Sequence, residues 1–156
     1  FKKNLELKEK LCENAERLAD EKDIISAFHQ LQELHQEYRE IGPVSKELRE
    51  QIWARFKAAS SVINTRHQQH FEEMRANEEE NLAKKTALCE KVESIVAVEN
   101  KGAADWEKRT KEIIDIQAEW KTIGFAPQKM NVKIFERFRT ACDVFFSRKA
   151  EFFKVR

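Results

Sequence analysis

The sequence predicts an all-α protein made of two tandem three-helix-bundle repeats, spectrin-like and joined by a long shared helix. Three observations carry this. Gly and Pro number only 3 and 2 in 156 residues, which leaves little room for the tight turns of an all-β fold. Apolar residues recur at the three-to-four spacing of amphipathic helices along most of the chain. Finally, Leu31 to Phe71 aligns without a gap on Ile113 to Phe153, a shift of 82 residues.

The first helix opens at Asn4. Leu5, Leu11 (or Leu7), Ala15 and Leu18 form its stripe, and Asp20 to Asp23 is a polar break. Asp23 suits the N-cap of a second helix over Ile24 to Ile41, with Phe28, Leu31, Leu34 (or His35), Tyr38 and Ile41 inward. Gly42 stands where a left-handed residue after the helix end is wanted, and Pro43 prevents continuation. Ser45 can cap a third helix whose inner face carries Ile52, Trp53, Phe56, Ala59, Ile63 and His70.

The same order then returns. Tyr38-Arg-Glu-Ile-Gly42 meets Trp120-Lys-Thr-Ile-Gly124, and Ile52-Trp-Ala-Arg-Phe56 meets Ile134-Phe-Glu-Arg-Phe138. Arg66 meets Arg148, and the candidate caps Asp23 and Asp105 correspond. Upstream the shift is 77, so that Asn4-Leu5, Lys8 and Leu11-Cys12-Glu13 meet Asn81-Leu82, Lys85 and Leu88-Cys89-Glu90. The second copy thus holds extra residues around Asn100-Lys-Gly-Ala. The expected division is 1–77 for repeat one and 78–156 for repeat two.

The run from Ser45 to Asn100 holds no Gly or Pro. It closes the first unit and opens the second, and about 54 helical residues would span roughly 80 Å. The expected shape is a rod of bundles. In Glu72 to Asn81 only Met74 and Ala76 are apolar. This joint is either one continuous exposed helix, favoured by its good helix formers, or a kink near Asn77, where Asn77-Glu-Glu-Glu80 imitates a capping box.

The block aromatic-x-x-Ile-Gly, followed eleven residues later by Trp or Phe and then x-x-Phe, resembles the bacterial "domain of unknown function 349" repeats. Tyr38, Gly42, Trp53 and Phe56 carry it in the first copy, and Trp120, Gly124, Phe135 and Phe138 in the second. Tyr38 stands where Trp is usual. The resemblance covers nearly the whole chain as two copies. It implies a fragment of a longer helical repeat protein and supplies no activity. That fits a chain that starts at Phe1 and stops within a helical pattern.

With 11 Phe and 3 Trp the chain is too rich in large apolar side chains for disorder. Lys+Arg is 29 against 28 Asp+Glu, so net charge points to neither nucleic acid nor membrane. Cys12, Cys89 and Cys142 fall on apolar stripes and form no C-x-x-C. They suggest buried small side chains, with no disulfide framework or zinc site. Free thiols fit a reducing, cytoplasmic compartment. No run of about 18 apolar residues exists to span a membrane.

His67-x-x-His70 has metal-ligand spacing, but Lys149 and Phe152 replace it in the second copy and no third ligand is evident. Glu37 and Glu119 recur beside the motif aromatics, and the expected role is a salt bridge from helix two to helix three, Glu37 with Arg55 and Glu119 with Arg137. No glycine-rich phosphate loop exists. No cofactor, metal or catalytic residue is expected.

Charge is the clearest asymmetry. Residues 128–156 carry Lys129, Lys133, Arg137, Arg139, Arg148, Lys149, Lys154 and Arg156 against three acids, whereas residues 45–82 carry six basic and seven acidic groups. Lys129, Lys133 and Arg137 recur every four residues and would line one face, a candidate nucleic-acid contact. Phe145 and Phe152 are expected in the core, with Phe146 a candidate exposed partner contact. The leading expectation is a non-catalytic helical repeat scaffold or protein-interaction module, with neighbouring repeats of the parent chain among its partners. The alternative is nucleic-acid or ribonucleoprotein binding through the basic face of the last helix.

Overall fold

The computed structural model describes residues 1–154, and Arg156 of the basic segment lies outside them. The chain is all-helical. Its elements are α1 (Lys2–Leu18), α2 (Ile24–Glu40), α3 (Lys46–Ala97), α4 (Ala103–Thr122) and α5 (Gln128–Lys154). Among the described residues there is no strand, and no helix is long and apolar enough to cross a membrane.

The chain divides into two compact units, Phe1–Glu73 and Met74–Arg156, and the boundary falls within α3. Each unit has its own core. In unit one, Leu11, Cys12 and Ala15 of α1 meet Ala27, Leu31, Leu34 and Tyr38 of α2, and Ile52, Phe56, Ala59 and Ile63 of α3. In unit two, Leu88, Cys89 and Val92 of α3 meet Trp106 and Ile113 of α4, and Ile134, Phe138, Ala141, Cys142 and Phe145 of α5. Each core thus draws on three helical segments, because an amphipathic stripe must bury itself against others. Val44 and Ala126, in the loops before α3 and α5, are also buried.

The caps follow local chemistry. Asp23 accepts from the Ser26 N–H at 3.1 Å and starts α2. Asp105 differs from its counterpart. α4 begins earlier, with Gly102 as N-cap, and the Asp105 carboxylate sits in the first turn and accepts from the Lys101 N–H at 2.9 Å. The extra residues around Gly102 lengthen the helix at its start. α3 continues unbroken through Glu72 to Asn81 and does not restart at Asn77.

Gly42 and Gly124 are corrected. No glycine adopts a positive φ, and the residues that end α2 and α4, Ile41 and Ile123, are extended. The reason for glycine is proximity. A Cβ on Gly42 would lie 2.8 Å from the Asn4 amide nitrogen, and one on Gly124 would lie 3.0 Å from that of Asn81. Those amides donate to the Pro43 carbonyl at 2.8 Å and the Phe125 carbonyl at 2.9 Å. Each loop passes so close to the first helical segment of its unit, α1 or the second half of α3, that a Cβ there would force the asparagine side chain to shift.

Two aromatics expected in the cores are also corrected. Trp53 is 44% exposed and Phe135 is 48% exposed. On α3, Ile52 and Phe56 are i,i+4 and point inward together, which leaves Trp53 one step round the helix. It lies over Tyr38 with ring centres 5.4 Å apart, and Phe135 lies over Trp120 at 6.4 Å. Phe145 is buried as expected, but Phe146 packs against the core instead of facing solvent. His70 is only partly buried.

Candidate functional site

The two units repeat not only residues but contacts. Cys12 Sγ donates to the Ile52 carbonyl and Cys89 Sγ to the Ile134 carbonyl, at 3.6 and 3.7 Å. Arg66 reaches the Ala19 and Glu21 carbonyls, and Arg148 reaches the Val96 carbonyl. Arg55 makes a two-pronged bond to Glu16, and Arg137 does the same to Glu93, each with a shortest distance of 2.7 Å.

This corrects the expected pairing of the arginines with Glu37 and Glu119, both of which face solvent. Arg55 is three residues after Ile52, whose carbonyl meets Cys12 of α1, so it continues the side of α3 that faces α1. Arg137 stands in the same relation to Ile134 and Cys89. The signal was present in the sequence, since Glu16 and Glu93 are related by the same shift as Cys12 and Cys89. Each arginine holds its partner's carboxyl below the ordinary glutamate range, chiefly through the hydrogen bond. Both partners are two-fifths exposed or more, and such pairs contribute well under about 1 kcal/mol. Arg55→Ala is therefore expected to lower urea stability by less than about 1 kcal/mol at low salt and by almost nothing at 1 M salt. A loss of several kcal/mol would mean that the arginine has a further role. The depressed carboxyl contributes stability above the unfolded glutamate pKa of about 4.3, and this is lost as pH falls through the folded value.

The basic stripe reads differently once Arg137 is placed. Lys129, Lys133 and Arg137 are all on α5, and Lys129 and Lys133 are exposed with no ion pair among the described residues. Arg137 is committed to Glu93. Lys133 and Arg137 line an open groove of about 590 Å³ that also holds Glu93 and Glu136, so its charge is mixed.

The surface that recurs lies on the second and third helices of each unit. In unit two, Trp120 and Lys121 of α4 face Phe135, Phe138 and Arg139 of α5 across a groove of about 390 Å³. Trp120 stacks on Phe138, with centres 4.1 Å apart and planes 16° apart, and the Lys85 ammonium lies 5.1 Å from its ring centre. Unit one places Tyr38 and Arg39 on α2 and Trp53, Phe56 and Lys57 on α3 at the equivalent positions. Tyr38 stacks on Phe56 at 4.7 Å, and Lys8 lies 4.7 Å from the Tyr38 ring centre. Arg39, Lys57, Lys121 and Arg139 are exposed and form no ion pair among the described residues.

A polar pair adjoins these rings. In unit one His35 and the buried Ser60 hydroxyl are hydrogen-bonded at 2.9 Å. In unit two the positions are Gln117 and Cys142, which line the same groove. Burial, with a smaller contribution from Arg39, pushes the His35 pKa down. The folded state therefore resists protonation, so the stability gained from neutral His35 is complete above the unfolded pKa of about 6.5 and is lost as pH falls through the folded value. His35→Gln, which installs the unit-two residue, is expected to flatten the fall in unit-one melting temperature between pH 7 and pH 5. An unchanged slope would assign it to other groups.

Burial also shifts the interior thiols and Lys85, whose pKa it lowers. Burial raises the Cys12 and Cys142 thiols and pushes Cys89 up to about 11, the reverse of an activated nucleophile. His67 stacks on Phe28 at 3.8 Å and His70 meets the edge of Phe71. Among the described residues no group of three or more His, Cys, Asp or Glu side chains is arranged to hold a metal ion.

Comparison with known proteins gives one finding. No curated protein and no solved structure matches the chain. A family model, Domain of Unknown Function (DUF349), matches residues 1–47 and again 51–129. The first match covers α1 and α2, and the second covers most of α3 and all of α4. With two matches over most of its length and the repeated motif of Tyr38, Gly42, Trp53 and Phe56 in both copies, the chain belongs to the DUF349 family.

Proposed function

We propose that the chain is a non-catalytic helical repeat module that binds protein partners, each unit being a spectrin-like three-helix bundle. One observation carries the reading. Trp53 and Phe135 contribute little to their cores, yet a large aromatic stands half-exposed at that position in both units, with a cation on each flanking helix. Exposed aromatics beside arginine and lysine are the composition of interface hot spots. The parent's compartment is proposed to be the reducing cytoplasm, and further repeats of the parent are proposed neighbours.

The test is affinity purification of the chain with and without nuclease, followed by the same purification with Trp53→Ala and Phe135→Ala together. Protein partners that survive nuclease and are lost with the double substitution support the reading. Partners lost on nuclease treatment alone contradict it. A second reading, nucleic-acid binding through α5, rests on the exposed and unpaired Lys129 and Lys133. Arg137, held by Glu93, drops out of it. RNA affinity that falls steeply with salt, and falls further in Lys129→Glu with Lys133→Glu, would favour that reading.

A further inference from the structure

The aromatic groove says more about its partner than that one exists. This deepening rests on the interaction-module reading. The floor of the unit-two groove is apolar, made by Trp120, Phe135 and Phe138, and its two walls each carry one exposed cation, Lys121 on α4 and Arg139 on α5. Asp143 also lines it and offsets part of that charge. Unit one has Arg39 and Lys57 on the corresponding walls, with Ser61 in place of the acid.

A trench between two helices, mostly apolar and with one cation on each rim, complements a third helix with an apolar stripe and acidic flanks. A nucleic-acid strand fits less well. Base stacking needs several free ring faces along a continuous basic track, but each of these surfaces offers one exposed ring, Trp53 or Phe135, and Trp120 is already stacked on Phe138 and engaged by Lys85. Tyr38 is engaged in the same way by Phe56 and Lys8.

We infer that the α4–α5 groove, and the matching face of α2 and α3, each receive an acidic amphipathic helix of a protein partner. Its apolar stripe lies on the rings and its carboxylates meet the two flanking cations.

The indole N–H resonances of the three tryptophans report this directly. Trp53 and Trp120 belong to the two surfaces, while Trp106 is buried beside Phe145. The probe is a helical peptide of about 20 residues with leucines at three-to-four spacing and glutamates beside them. Its controls are the same peptide with glutamine for glutamate, and a single-stranded oligouridine. The acidic peptide is expected to move the Trp53 and Trp120 resonances and leave Trp106 in place. Lys121→Glu with Arg139→Glu is expected to weaken the Trp120 response at least about tenfold, the 1.4 kcal/mol scale of a lost charged contact, while the Trp53 response persists. Lys121→Gln with Arg139→Gln gives the same test without new charge, and the unmoved Trp106 signal certifies the fold. No response to the acidic peptide, an equal response to the glutamine peptide, or a response to oligouridine alone would overturn the inference. Proteins captured through nuclease-resistant contacts that ignore these charge changes would leave the interaction-module reading intact and remove only this one.

Discussion

Phe56→Ala is expected to destabilise unit one by about 3–5 kcal/mol, the range for emptying a large buried aromatic site. Phe56 is fully buried. It touches His35 at 4.9 Å and Tyr38 at 4.7 Å between ring centres, and collapse around the gap would have to draw in Trp53, at 6.1 Å. For a unit of this size total stability is roughly 4–11 kcal/mol, so the change removes a large part of it. Unit two does not share that core. In urea, the Trp53 signal is therefore expected to unfold first, with Trp106 and Trp120 retaining their native positions. Phe145→Ala in unit two, also fully buried, should reverse the order. A single common midpoint for all three tryptophans in both variants would contradict separate cores.

Asn81→Asp is expected to cost about 1–3 kcal/mol at neutral pH. Asn81 is buried, and its amide donates to the Phe125 carbonyl at 2.9 Å. A carboxylate has the same shape but only accepts, so the substitution removes the bond and places two acceptors face to face. Protonated aspartic acid can donate again. The variant's folded carboxyl pKa is therefore raised above the unfolded value of about 3.9, and its deficit is expected to shrink as pH falls toward that value and to be full above the folded pKa. Urea titrations at pH 7 and pH 4 measure both. Equal deficits at the two pH values would mean that the amide's donor role is not what Asn81 supplies.

The same asparagine shows how far sequence reaches here. The repeat placed Asn4 on Asn81 and Gly42 on Gly124, and it located the helices to within a few residues. The link between amide and glycine was hidden, because glycine at a helix end ordinarily signals a left-handed turn. Only the approach of the loop to the helix shows that proximity is the reason. Leu31, Phe56, Ile113 and Phe138 were legible as core because periodicity alone puts them inward. Trp53 and Phe135 were not, since Ile52 and Trp53 are adjacent on the helix and hydrophobicity does not say which of them neighbouring helices cover. That misassignment is what concealed the candidate surface. The cations beside it, Arg39 and Lys57, Lys121 and Arg139, match between copies in kind but not identity, and each is unremarkable alone. The Arg55–Glu16 pair was missed because cross-helix partners depend on which sides meet, although the repeated glutamates gave the clue.

The second family match runs from within α3 to the start of α5 and so crosses the boundary between the packing units, which divides that helix. Between Phe71 and Asn81 no residue is buried, and the chain there has hydrogen-bonded helix without a core to hold it.

Hydrogen exchange along α3 tests this most directly. Two cores on one continuous helix require a graded pattern. Amides near Phe56 and Ile63, and near Cys89 and Val92, are expected to be strongly protected, with Glu72 to Glu80 exchanging faster than either yet slower than unstructured chain. Uniform protection from Lys46 to Ala97 would contradict separate cores, and exchange at the unstructured rate through Glu72 to Glu80 would contradict the continuous helix.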